Sequence, residues 1–244
     1  MEKKIRIVRR PTSLDKIISD YVPATWGPVF EKSTDERQFI SEMIGKKNYS
    51  PIYPLPDNIF RAFELCPLPK TQVVIVGQDP YPQERKNGVP KAVGMSFSIA
   101  PDDKDIPGSL KNIYRELLSE YPDFVVPDHG DLSGWARQGV LLLNVGLTYT
   151  PEETSDKMIG LWKPFFIKTV KALVEYNKDL IFVLWGDKAQ KATLPYVNSS
   201  RALISGHPSP QAVNRGGNFI GNGHFKKINE LLEKDGQEKI NWQI

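Results

Sequence analysis

The sequence predicts an α/β fold: a single domain on a short central parallel β-sheet of about four strands, flanked by helices on both faces. Three observations carry that expectation. Four short runs, "VVIV" at 73–76, "VLLL" at 140–143, "IFVLW" at 181–185 and "ALIS" at 202–205, lack polar alternation, and so read as strands buried on both faces. Amphipathic helical periods lie between and around them, the pattern of parallel βαβ units. Prolines and glycines are scattered as punctuation, with no repeat or linker that would divide the 244 residues.

Taken in chain order, the first ten residues crowd Lys3, Lys4, Arg6, Arg9 and Arg10 against Glu2 alone. That charge suits an arm touching phosphates, though a solvated tail fits it as well, and the expected division is an arm over 1–21 and the main domain over 22–244. Phe39, Ile40, Met43 and Ile44 form a helical stripe, with Ser33 and Glu36 ahead of it at capping-box spacing. After the first strand, Leu110, Ile113, Leu117 and Leu118 repeat at i, i+3, i+7, i+8 behind Ser109 as a candidate N-cap. Ile167, Val170, Leu173 and Val174 make a similar stripe, and Phe225, Ile228, Leu231 and Leu232 make the last.

Composition removes several classes of function. The chain is 40% hydrophobic and 25% charged, with a formal net charge of +3, which permits a polyanionic partner without demanding one. No apolar run approaches the roughly 20 residues of a membrane span, and no signal-peptide core follows the basic start. The expectation is an intracellular protein with no membrane partner. Cys66 is the only cysteine, so it has no internal disulfide partner, and one thiol with three histidines argues against a zinc cluster.

The strand ends carry the chemistry. The first run leads into Gln78 and Asp79, the second into Asn144, the third ends on Trp185, and the fourth leads into His207. In open parallel sheets ligands bind outside the carboxyl ends of the strands, so a carboxylate, an amide, an indole and an imidazole are expected on one rim. Singly, each has a bland explanation as a turn former or strand-end cap; jointly they do not. There is no nucleophile elbow and no Gly-rich phosphate loop. What remains is a carboxylate that can activate water or stabilise a cation, an imidazole that can stabilise an anion, and an amide that can read a donor-acceptor edge. Such a set suits heterolysis of a glycosidic bond with a good leaving group.

"GQDPYP", "GMSFS", "LLLN", "VLWG" and "HPSP", in this order from about Trp26 to the end, resemble the family 1 uracil-DNA glycosylases. The resemblance implies hydrolysis of deoxyuridine in DNA without metal or cofactor, and assigns roles that the side chains can fill. Asp79 would activate water and face the oxocarbenium-like sugar, while His207 would donate a hydrogen bond, as a neutral imidazole, to uracil O2. Asn144 would read the uracil edge, Phe97 would stack on the flipped base, and Gln78 would offer its backbone N–H. Tyr81 would exclude the thymine methyl sterically, because a missing contact discriminates by only about 1 to 3 kcal/mol. Ser109 and Ser209 match phosphate-gripping loops, and Arg215 is a candidate backbone contact. Implied partners are uracil-containing DNA, single- or double-stranded, with a proteinaceous glycosylase inhibitor or replication factors as candidates; monomer is the default.

Three departures from the family pattern stand out. Pro82 and the insert at 83–93 lengthen the loop after Tyr81 and bring Arg85, Lys86 and Lys91, which suit DNA contacts or, equally well, a solvated loop. Gln211 occupies the position of the usual leucine wedge, and Asp187 that of a small hydroxyl residue near phosphate, with Lys188 next to it as a compensating charge. These departures leave open an accessory DNA-binding module that retains the glycosylase fold, or a glycosylase of altered base preference.

Overall fold

A computed structural model describes residues 13–47 and 51–244; the basic residues from Lys3 to Arg10 lie outside them. The helices are α1 (Leu14–Tyr21), α2 (Gly27–Phe30), α3 (Thr34–Lys47), α4 (Arg61–Leu65), α5 (Gly108–Glu120), α6 (Ser133–Arg137), α7 (Ser155–Tyr176), α8 (Asp187–Thr193), α9 (Pro210–Asn214) and α10 (His224–Lys234). Between them run β1 (Val73–Gly77), β2 (Val140–Asn144), β3 (Ile181–Trp185) and β4 (Ala202–Ser205). The four expected strands are all present.

They form one parallel sheet in the order β2-β1-β3-β4. Val73 is level with Val140 and Ile181, Gly77 with Asn144, and Trp185 with Ser205, so the strands end together along one edge. β1, β2 and β3 are buried at every position. Because successive side chains point to opposite faces, this requires cover on both. β4 departs from the expectation: only Ser205 is buried, and Ile204 is 46% exposed, since this strand closes the sheet and none of the described residues pairs beyond it.

Aromatic clusters hold the helices on the sheet. Phe30 packs against Phe60, Phe63 and Phe165 at centroid distances of 5.7, 5.1 and 5.9 Å, joining α2, α4 and α7. Trp185, Phe225 and Trp242 form a second cluster with Trp135. Each fully buried ring contributes on the order of 2 to 3 kcal/mol of transfer free energy.

Local expectations are corrected in four places. Ser33 is no N-cap, because the chain is already helical there: its buried hydroxyl donates to the Phe30 carbonyl and accepts from Arg37. In the α3 stripe Ile40 and Ile44 are buried but Phe39 is exposed, and Arg37 takes the inward place. Ser109 lies inside the first turn of α5, whose N-cap is Pro107. Residues 14–21, assigned to the arm, form α1, which buries Leu14 and Ile17 and is tied to α3 by Asp15 to Arg37 (3.0 Å) and by the Leu14 N–H to Ser41 Oγ (3.3 Å). α1 is thus docked on the body that follows it. No helix among the described residues is long and apolar enough to cross a membrane.

Candidate active site

A cleft of about 390 Å³ opens at the carboxyl edge of the sheet, where the chain, having added β2 on one side of β1, crosses to add β3 on the other. Such switch points are where open α/β sheets place ligands. Gln78, Asp79, Tyr81, Phe97, Asn144, His207, Ser109, Ser209 and Gln211 all line it, with Pro82 and, from the insert, Ala92. Arg215 does not; it is the exposed C-cap of α9.

Asn144 is buried at the end of β2, level with Gly77. A Cβ on Gly77 would lie 2.2 Å from Asn144 Oδ1 and 2.6 Å from Ser96 Cβ, so the strand must end in glycine for the amide to sit where it does. Ser96 is fixed in turn by its N–H to the Leu142 carbonyl (3.0 Å) and its hydroxyl to the Ile75 carbonyl (3.1 Å). This brace left no sign in the sequence beyond the "GMSFS" block.

Asp79 is half-buried just beyond β1. Its Oδ2 accepts a 2.5 Å hydrogen bond from the Ser155 hydroxyl, and Gln78 Nε2 donates to Ser155 Oγ at 3.2 Å. Burial raises the Asp79 carboxyl above its ordinary range, while the Ser155 hydrogen bond, Lys188 and Gln78 pull it down and Asp156 pushes it up. Lys188 pairs with Asp156 at 2.6 Å. That carboxylate, and not the neighbouring Asp187, is its ion-pair partner.

His207 Nδ1 accepts from the Ser209 N–H at 3.0 Å. The acceptor nitrogen carries no proton, so the neutral ring bears its hydrogen on Nε2. Burial lowers its affinity for a second proton. Gly186, at φ +91°, lets this ring approach β3: a Cβ there would be 2.8 Å from His207 Cβ. Trp185, expected on the rim, turns into the core, donates to His224 Nδ1 (3.0 Å) and backs Phe97 at 5.6 Å.

Phe97 itself adopts φ +62°, a left-handed conformation that disfavours bulky side chains. The Tyr81 hydroxyl donates to its carbonyl. Around the mouth, Gly108 and Pro210 bring the starts of α5 and α9 together, a Cβ on the glycine lying 2.5 Å from Pro210 Cγ. Asn112 Nδ2 donates to the Pro208 carbonyl (2.8 Å), and Ser209 Oγ caps α9 by accepting from the Ala212 N–H (3.3 Å).

The insert is pinned, not loose. Glu84 accepts from the Tyr53 hydroxyl (2.7 Å), Arg85 pairs with Asp102, and buried Lys91 pairs with Asp103 and Asp105, both at 3.0 Å. Arg85 and Lys91, candidate DNA contacts in the sequence, are engaged within the protein; Lys86 remains exposed.

Sheet and cleft define an α/β enzyme with a carboxylate, an amide, two aromatic rings and an imidazole around one pocket at its carboxyl edge. Comparison with known proteins gives the particular family. The model of the Uracil DNA glycosylase superfamily matches residues 63–233, and the chain belongs to that superfamily. The uracil-DNA glycosylase of Lachnoclostridium phytofermentans is 42% identical over 203 residues, 82% of this chain and 86% of its own. That of Proteus mirabilis is 38% identical over 228 residues, 91% and 97% of the two chains. The crystal structure of mimivirus uracil-DNA glycosylase superimposes with a TM-score of 0.85 at 29% identity, covering 96% of this chain and 90% of that one.

Proposed function

We infer that the chain is a monofunctional uracil-DNA glycosylase of the family 1 type. It hydrolyses the N-glycosidic bond of deoxyuridine in DNA, releasing uracil and leaving an abasic site that begins base-excision repair. The observation that carries the assignment of residues is the convergence of Asp79, Asn144, Phe97 and His207 in one cleft from β1, β2, the loop after the insert and the end of β4.

In this reading the flipped base enters the cleft and stacks on Phe97, while Tyr81 stands against C5. Asn144 offers an acceptor to N3–H and a donor to O4, the edge that uracil presents and cytosine inverts. His207 Nε2–H meets O2, where negative charge gathers as the base leaves, so the imidazole acts as a donor and need not transfer its proton. Asp79, with Oδ2 held by Ser155, has its other oxygen for the water that attacks C1′, and its charge opposes the sugar cation. Ser109 and Ser209 grip phosphate, with Arg215 outside the cleft as a peripheral contact.

We further propose a monomer whose catalytic domain spans residues 22–244 with α1 docked on it, acting inside the cell on single- or double-stranded DNA. Mimivirus enzyme variants have been crystallised in complex with UGI; the similarity of fold supports a proteinaceous inhibitor as a partner here too. The test is incubation with uracil-, thymine- and inosine-containing oligonucleotides in chelator, followed by alkaline cleavage of abasic sites. Cleavage at uracil alone, lost in Asp79→Asn and His207→Ala, is expected; cleavage of none would point to an accessory DNA-binding module.

A further inference from the structure

We propose that Ser155 is a positioning residue for the glycosylase reaction, fixing the Asp79 carboxylate through a relay that begins at the Gln78 side chain. The proposal rests on the reading of Asp79 as the group that faces water and the sugar cation.

The geometry has a direction. Gln78 Nε2–H donates to Ser155 Oγ (3.2 Å), and the Ser155 O–H donates to Asp79 Oδ2 (2.5 Å). The hydroxyl therefore receives a hydrogen bond on its oxygen while giving one from its hydrogen. Each bond polarises the next, and the chain ends on an anion. One carboxylate oxygen is held by this bond, and the residue as a whole lines the cleft.

Ser155 can do this because of where α7 begins. Thr154 is the N-cap, its hydroxyl accepting from the Lys157 N–H at 3.3 Å, so Ser155 is spared capping duty and stands at the first helical position. The first turn of a 22-residue helix also favours a nearby anion. Asp79 and Ser155 lie 76 residues apart in sequence, and only the return of the chain after β2 brings them together. A structural serine at a helix start would need neither the carboxylate nor the amide.

The other charges around Asp79 leave this bond a clear task. Asp156 on α7 opposes its ionisation, Lys188 on α8 favours it, and neutral His207 shares the cleft. The Lys188 and Asp156 side chains are 50% and 80% exposed, so solvent and salt screen them. The partly buried hydroxyl is screened far less. Ser155 should accordingly set the ionisation of Asp79 in a way that added salt does not mimic.

The experiment is the pH dependence of uracil excision by the full chain, at low and high salt, for the native protein and for Ser155→Ala, Ser155→Thr and Asp79→Asn. Ser155→Ala should lower kcat about tenfold, leave KM for the oligonucleotide unchanged, and move the acid limb of the kcat profile up by about one pH unit. Ser155→Thr, which keeps the hydroxyl, should restore both. A native-like acid limb and kcat in Ser155→Ala would overturn the proposal. So would a loss that Thr does not restore, or one that appears only in KM. If Asp79→Asn keeps full activity, the assignment of Asp79 itself fails, a result distinct from any of these.

Discussion

The Tyr81 hydroxyl donates a 3.1 Å hydrogen bond to the carbonyl of Phe97, the residue that holds φ at +62°. Strain of that kind costs roughly 1 to 3 kcal/mol and persists only where the surroundings hold it. The bond supplies about 1 kcal/mol toward that end, so under the proposed function Tyr81 would have two separable parts: a ring beside the base and a hydroxyl that latches Phe97, the proposed stacking residue. Tyr81→Phe should keep the exclusion of thymine while lowering kcat/KM for uracil about fivefold. Tyr81→Ala should admit thymine. Release of the two free bases from matched oligonucleotides measures both, and a native rate in Tyr81→Phe would show that the latch has no catalytic consequence.

A methyl group on Gly77 has nowhere to go, since Asn144 Oδ1 and Ser96 Cβ already occupy its space. Gly77→Ala should displace the Asn144 amide by about an ångström, which for a positioned group lowers kcat/KM by roughly a hundredfold. Crowding the strand ends should also destabilise the fold by about 1 to 3 kcal/mol. Kinetics and denaturant unfolding on the same sample separate the two effects.

His207 makes a prediction about a tautomer. With Nδ1 accepting from the Ser209 N–H and burial opposing protonation, the ring should titrate below the ordinary histidine range and, while neutral, keep its hydrogen on Nε2. Nitrogen chemical shifts of labelled protein report this directly. Titration at the ordinary histidine value near 6.5 would contradict it. His207→Gln, which still offers an N–H, should retain more activity than His207→Ala.

Much of this arrangement was legible in the sequence, for definite reasons. The strands announced themselves because residues buried on both faces must be apolar throughout, and the sheet rule then put Asp79, Asn144 and His207 on one edge. The first half of α7 did not announce itself: Gly160 and Pro164 interrupt the helical pattern although Trp162, Phe165 and Phe166 are buried there. Ser155 was invisible because its partners come from a distant strand end. Arg85 and Lys91 looked like DNA contacts because sequence shows charge but not pairing.

Glu116 and Glu120 show charge without pairing in the same way: both lie buried on α5. Glu116 accepts from the N–H groups of Gly221 (2.5 Å) and Gly223 (3.0 Å), Glu120 from those of Phe225 (3.2 Å) and Lys226 (2.6 Å). Glu116 thereby anchors the chain between α9 and α10, and Glu120 the first turn of α10. Burial pushes Glu120 up to about 7 from an ordinary 4.5, against those backbone bonds and with Glu116 adding to the rise. Between these values the native state holds a proton that the unfolded chain has released, so stability is highest at the acid end of the window and falls as pH rises through about 7. The contribution lost is about 3 kcal/mol before solvent screening, which lowers it. Glu120→Gln should flatten the dependence of unfolding free energy between about pH 5 and pH 8; an unaltered slope would place the titration elsewhere.

Gln211 stands exposed in the first turn of α9 at the mouth of the cleft, where the family resemblance places an apolar wedge. A side chain that fills the gap left by a flipped nucleotide is rewarded for leaving water. Leucine gains roughly 1.5 to 3 kcal/mol from complete burial, whereas glutamine must desolvate an amide and recovers part of the loss by hydrogen bonding the orphaned base. The handicap applies only where there is a stack to enter. Single-stranded substrate should therefore be cut more readily relative to duplex than a leucine wedge would allow, and Gln211→Leu should raise the duplex rate roughly tenfold while leaving the single-strand rate nearly unchanged. Excision from the same uracil oligonucleotide with and without its complement measures the ratio. A ratio unmoved by the substitution would mean that this side chain does not enter the helix.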